Sequence, residues 1–150
     1  MIQVRCETAD DTRALGRRLA ASLRGGDVLL LKGDLGAGKT VLAGGLAEGL
    51  GVAEQVTSPT FVLARWYEGF MPFVHADVYR LGSSAEIEDL DLPDEALDGV
   101  LAVEWGDVAE AQFGDDHLLV ELSVESDGSR IVSLVPVGSW EGRSFEGVGS

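Results

Sequence analysis

Two periods of apolar placement run along this chain, and the switches between them mark its elements. Residues 2–6 alternate apolar and polar side chains and predict a short edge strand. From Thr8 the period lengthens, with Ala14, Leu15, Leu19 and Leu23 recurring at helical spacing. Thr8 and Asp11 have the spacing of a capping box, with Asp in place of the usual Glu or Gln, and Gly25-Gly26-Asp27 is expected to end this helix. The run Val28-Leu29-Leu30-Leu31 predicts a strand over 28–32, and a helix over 39–50 follows, with Gly51 as its stop. Residues 61–67 and 73–79 read as two strands joined by the hairpin-length connection Glu68-Gly69-Phe70-Met71-Pro72. Short acidic helices are expected over 84–98, where Pro93 suits a first turn. Val100-Leu101-Ala102-Val103 is a short buried strand ending at Glu104, and strands over 118–124 and 130–137 flank the turn Ser126-Asp127-Gly128-Ser129.

Between the second strand and the second helix lies Gly33-Asp34-Leu35-Gly36-Ala37-Gly38-Lys39-Thr40, the phosphate-loop pattern G-x-x-x-x-G-K-[ST]. Its setting gives the pattern force. A strand delivers the loop, glycines let backbone N–H groups turn inward around a phosphate, and a helix N-terminus points at the anion. The expectation is a bound nucleoside triphosphate cradled by Gly33, Leu35, Gly36, Ala37 and Gly38. Lys39 extends toward the β- and γ-phosphates, and Thr40 supplies a hydroxyl to Mg²⁺. A second magnesium contact commonly comes from an acid at the end of a neighbouring buried strand, and Glu104 fits that place. An acid that merely caps a strand would look the same.

Two further stretches carry polar chemistry. Pro59 forces an extended turn and presents Thr60 on a loop edge, a place suited to sensing the γ-phosphate or its metal. On a strand, His75, Asp77 and Tyr79 share one face and Ala76 and Val78 the other. Asp77 could hold a metal-bound water or orient the attacking one, whereas His75 reads better as a structural hydrogen-bonding residue than as a base. A half-exposed strand with polar residues outward is the alternative. Arg80 either binds phosphate or pairs with a nearby acid.

The element order is not a clean alternation of strand and helix. One hairpin interrupts it and another closes it, so the sheet should be mixed. The expected fold is α/β: a phosphate-loop NTPase-like three-layer sandwich with a mixed central sheet and a C-terminal hairpin. At 150 residues there is room for one domain, over 1–137, with the Gly- and Ser-rich stretch 138–150 expected as a poorly ordered tail.

Composition narrows the function. Eleven basic residues face 26 acidic ones, a formal net charge of −15, and only Lys32 and Lys39 are lysines. Such a surface repels nucleic-acid backbones and anionic membranes, so dealings with RNA should run through partner proteins. A small patch such as Arg13, Arg17, Arg18 and Arg24 is the other route to RNA or DNA, although these residues fit better the solvated face of an amphipathic helix. Cys6 is alone, the N-terminus lacks an apolar stretch after a basic start, and no run approaches a membrane span. Cytoplasm is the expected compartment. Guanine-specific GTPases read the base with an Asn-Lys-x-Asp element, which a chain without asparagine cannot supply, so ATP is the expected nucleotide. A small-molecule kinase remains as an alternative, although after Arg80 only Arg130 and Arg143 could serve a phosphate-clamping lid. So does a nucleotide-sensing adaptor that hydrolyses nothing.

The phosphate loop, Ser58-Pro59-Thr60-Phe61, His75-x-Asp77-x-Tyr79-Arg80-Leu81 and Glu104-Trp105 together resemble the bacterial TsaE family in order and spacing, over about residues 8–135. One departure is Phe61, where many members carry tyrosine. The resemblance implies a weak ATPase of the machinery that makes threonylcarbamoyladenosine next to the anticodon of certain tRNAs. It acts with TsaD, which transfers the threonylcarbamoyl group, and with TsaB, which pairs with TsaD; tRNA is met only through that complex. It also implies that Lys39 contacts phosphate, that Thr40 and Glu104 hold Mg²⁺, that Thr60 belongs to a switch-like loop, and that Asp77 supports hydrolysis. Thr8 corresponds to an early nucleotide contact, and Gly128 is placed near the nucleotide.

Overall fold

A computed structural model of the chain describes residues 2–33, 37–56, 64–77, 98–105, 116–143, 145 and 148, with backbone only at Ala64, Asp77 and Trp105. In chain order the elements are β1 (Ile2–Cys6), α1 (Ala9–Ala20), β2 (Val28–Lys32), α2 (Lys39–Gly49), β3 (Ala64–Glu68), β4 (Pro72–Asp77), β5 (Val100–Trp105), β6 (His117–Val124) and β7 (Arg130–Val137). The strands form one sheet in the order β1-β7-β6-β2-β5-β4-β3. β2 runs parallel to both β5 and β6, and β4 is parallel to β5. β3–β4, β6–β7 and β1–β7 are antiparallel. The mixed α/β sheet and the closing hairpin expected from the sequence are therefore present. The helices expected over 84–98 lie largely outside the described residues.

β2 lacks polar alternation because both of its faces are covered, as parallel inner strands require. Leu29 and Leu31 join Ala102, Leu118 and Val120 in the core under α1 and α2. Leu30 points to the opposite face, as do its register neighbour Val103 and, one strand further, Ala76; all three are fully buried.

α1 starts on the reciprocal cap anticipated at Thr8: Asp11 N–H donates to Thr8 Oγ1 (3.1 Å) and Thr8 N–H to Asp11 Oδ2 (3.2 Å). Its α-helical geometry stops at Ala20, earlier than the glycines suggest. The amides of Ala21, Ser22 and Leu23 then bond three residues back, so the chain tightens into a narrower turn that still delivers Leu23 to the core.

α1 and α2 lie side by side and parallel, with glycine at the contact. A Cβ on Gly45 would stand 2.1 Å from the Arg13 carbonyl oxygen, and one on Gly16 would stand 2.5 Å from that of Leu42. The backbones touch. Leu15, Leu19, Leu42 and Leu46 flank this seam with no exposure, each worth about 1.5–3 kcal/mol of burial. At its edge Arg13 and Arg17 reach Glu48 at 3.2 and 2.7 Å, so these two arginines lie on the half-exposed helix face expected of them and gain a partner there.

Part of the stretch after β7, the described residues 138–143, is ordered where a loose tail was expected. Gly138–Gly142 forms a 3₁₀ turn that buries Trp140, whose ring stacks on Phe145 at 6.0 Å. Arg143 lies 3.8 Å over the Trp140 ring and donates to Asp27 at 2.8 and 3.0 Å, just ahead of β2. Glycine and serine content predicted mobility, but one large aromatic and one arginine supply enough contact to anchor the backbone. Among the described residues no helix is long and apolar enough to cross a membrane.

Candidate functional site

β2 ends at Lys32, and α2 opens at Lys39 after Ala37 and Gly38. Gly38 caps that helix with φ +104°, a left-handed conformation that glycine reaches at little cost. The first intrahelical bond runs from the Leu42 amide to the Gly38 carbonyl (2.9 Å), and no side chain caps the end. This end carries the positive end of the helix dipole, which favours an anion. No acid stands in the first turn to compete. Lys39, the first helical residue, is buried and donates from Nζ to the Gly33 carbonyl, just past the end of β2.

Thr40 follows by one residue and meets Glu104 across the sheet. Its hydroxyl donates to Glu104 Oε2 at 3.3 Å, while His75 Nε2 lies 2.6 Å from the same oxygen. Register explains the meeting: parallel pairing sets Leu31 beside Glu104 and His75 beside Ala102, so Glu104, His75 and the β2–α2 junction share the helix-side face. Glu104 and His75 are both buried. The same register sets the backbone of Asp77 opposite Glu104. β4 is not half-exposed, since Phe73 through Ala76 have no exposure at all. It lies inside the sheet between β5 and β3, which removes that alternative for the His75 face.

A hydroxyl and a carboxylate in contact are hard oxygen donors of the kind Mg²⁺ accepts. Among the described residues no group of three or more His, Cys, Asp or Glu could hold a metal by itself.

A cleft of about 140 Å³ opens beside the α2 N-terminus, lined by Thr8, Thr12, Gly38, Gly128 and Arg130 among others. Three of the expected contacts, Thr8, Gly38 and Gly128, come together there from positions 30 and 90 residues apart in sequence. The parallel helix seam brings Thr8 to Gly38, and the β6–β7 hairpin brings Gly128. The hairpin turn is braced by Ser129, whose hydroxyl and amide hold the Asp127 carboxyl below the usual carboxylate range. Arg130 was counted in the sequence only as a spare arginine. It lines the cleft, and its Nε donates to the Ala37 carbonyl at 3.2 Å. Its place two residues after Gly128, at the start of β7, was the available signal. Leu35, Gly36, Thr60, Tyr79 and Arg80 lie outside the described residues, as does the Asp77 side chain.

Comparison with known proteins places this geometry in context. Residues 6–132 match the family model described as threonylcarbamoyl adenosine biosynthesis protein TsaE. The tRNA threonylcarbamoyladenosine biosynthesis protein TsaE of Streptomyces coelicolor is 51% identical over 114 residues, covering 73% of this chain and 77% of the relative. The protein of that name from Bacillus subtilis is 41% identical over 133 residues, covering 87% of this chain and 82% of the relative. Among solved structures, Bacillus subtilis YdiB superposes with a TM-score of 0.76 at 35% identity, covering 94% of this chain and 91% of that one.

Proposed function

The chain belongs to the TsaE family of tRNA threonylcarbamoyladenosine biosynthesis proteins, and from that premise we propose that it is the pathway's ATP hydrolase. In this reading hydrolysis resets the TsaB–TsaD transferase complex after each round of modification at tRNA position 37. The fold is then a three-layer phosphate-loop NTPase domain working in the cytoplasm. The observation that carries the reading is the uncapped α2 N-terminus set directly beside the Thr40–Glu104 pair.

The chemistry is positional and electrostatic. Amides of the 33–38 loop and the α2 terminus bind the β- and γ-phosphates, and the Lys39 ammonium turns from the Gly33 carbonyl to the γ-phosphate oxygens. Thr40 and Glu104 hold Mg²⁺, which when bound neutralises charge shared between the β- and γ-phosphates. Asp77, opposite Glu104 in register, orients the attacking water, and Thr60 senses the γ-phosphate. Thr8, Gly128 and Arg130 line the space left for ribose and base. With a net charge of −15 the chain meets a basic face of its protein partners and reaches tRNA only through them.

The test combines the purified chain with candidate TsaB and TsaD. ATP turnover should rise on mixing, and tRNA modification should become multi-round. No rise in either overturns the proposal, and labelled γ-phosphate appearing on a metabolite would assign a kinase instead. Glu104→Ala should weaken Mg²⁺-dependent hydrolysis while leaving part of the nucleotide affinity.

A further inference from the structure

We propose that His75 is a positioning residue for Glu104: it fixes the carboxylate so that its geometry is ready for the divalent ion. The inference deepens the magnesium reading of the Thr40–Glu104 pair and rests on it.

His75 has no exposure, and it occupies an inward place on β4 where an apolar side chain would satisfy packing, as Phe73 and Ala102 do beside it. Its ring also lies in stacked orientation to Phe73, with centroids 6.5 Å apart. Its two ring nitrogens decide its chemistry. Nε2 is 2.6 Å from Glu104 Oε2, and a carboxylate only accepts, so the ring proton is on Nε2 and donates. Nδ1 is buried with no hydrogen-bond partner, a place where a second N–H would be costly and a lone pair is tolerated better. The ring's one polar contact is thus spent on Glu104.

Glu104 needs that contact. Its carboxylate ends β5 and is held by two donors on one oxygen, the His75 ring from the neighbouring strand and the Thr40 hydroxyl from α2. The hydroxyl contact with Oε2 is the longer and weaker of the two, 3.3 Å against 2.6 Å for the ring. His75 is then the donor that keeps the carboxylate from rotating, and it sits on a strand whose register is locked on both sides. Partners of this kind behind a metal-binding oxygen set ion affinity without touching the ion.

Mn²⁺ affinity of the ADP-bound protein, read by the Mn²⁺ EPR signal, tests this apart from turnover. His75→Leu should weaken Mn²⁺ binding by ~10–100-fold, with metal-free ADP affinity and thermal melting held near wild type. His75→Gln, whose amide reaches the place of Nε2, should recover affinity to within ~3-fold, and His75→Asn, whose amide stands where Nδ1 stands, should not. Combining His75→Leu with Glu104→Gln should weaken Mn²⁺ binding no further than Glu104→Gln alone, because both act through one carboxylate. Wild-type Mn²⁺ affinity in His75→Leu, beside a clear loss in Glu104→Gln, would overturn the positioning role and leave the metal site standing. No loss in either variant would overturn both. If the leucine variant does not fold, equal affinity in the glutamine and asparagine variants overturns the proposal.

Discussion

The two α-helices among the described residues lie parallel and in backbone contact, yet their N-termini are built in opposite ways. α1 closes its own end: Thr8 and Asp11 satisfy each other's amides, and Asp10 and Asp11 place negative charge in the first turn. α2 starts on a left-handed glycine with no side-chain cap and no acid in its first turn. A glycine in the N-cap place costs only roughly a few tenths of a kcal/mol relative to Ser, Thr, Asn or Asp, so α2 keeps an open end at little loss of stability. The difference separates a helix end closed by its own side chains from one left without a side-chain cap.

The strongest way to break this contrast is Lys39→Ala. If the α2 terminus is the phosphate site, ATP affinity measured by calorimetry should fall at least ~100-fold, about 2.7 kcal/mol. Affinity near wild type would leave the open terminus without a purpose. Next comes the seam that holds the two ends together. Gly45→Val drives a side chain into the Arg13 carbonyl and should cost about 2 kcal/mol, a Tm drop of roughly 4–8 °C, whereas Gly44→Ala meets open space and should be neutral or stabilising. Equal melting of the two variants would mean that the helix contact is not close-packed.

How much of this contrast the sequence carried depends on how local each part is. The α2 terminus was legible in eight consecutive residues, and the α1 cap in four. The seam was not, because Gly16 and Gly45 contribute nothing to an apolar periodicity and act only through where the partner backbone lies. Glu104 was legible as a strand-end acid. Its contact with His75 depends on the β4–β5 register, a pairing between residues 29 apart that no local pattern specifies. Trp140 was hidden by its glycine and serine neighbours. Period 2 set His75 and Ala76 on opposite faces, but the burial of both faces is a property of the folded sheet that no local pattern specifies.

Two smaller effects sharpen the comparison. Thr8→Ala removes one half of the α1 cap and should cost about 1 kcal/mol, seen as a small Tm loss in thermal melts without ligand. Because Thr8 also lines the cleft, its nucleotide affinity should drop as well; a change in Tm alone would confine it to capping. The smallest effect is electrostatic. Hydrogen bonding from Arg17, then the nearby Arg13 charge, lowers the Glu48 carboxyl below its ordinary range. A depressed carboxylate stabilises the fold above its unfolded-state range and loses that contribution as pH falls through the folded value. Glu48→Gln should therefore be less stable than wild type near neutral pH by under about 1 kcal/mol, since solvent screens these half-exposed partners. Melting curves of the two should converge on acidification, and a gap that persists in acid would assign Glu48 a packing role.

The Arg143–Asp27 pair links the far end of the polypeptide to the residue from which β2 departs. Ending the protein at Val137 would retain every residue of the cleft and still strand a nearly buried carboxylate without its counter-ion, beneath the strand that leads into the phosphate loop. Shortened versions would thus carry a hidden lesion, and low yield or weak turnover in them would report a missing clasp at the opposite end of β2, with the chemistry itself intact.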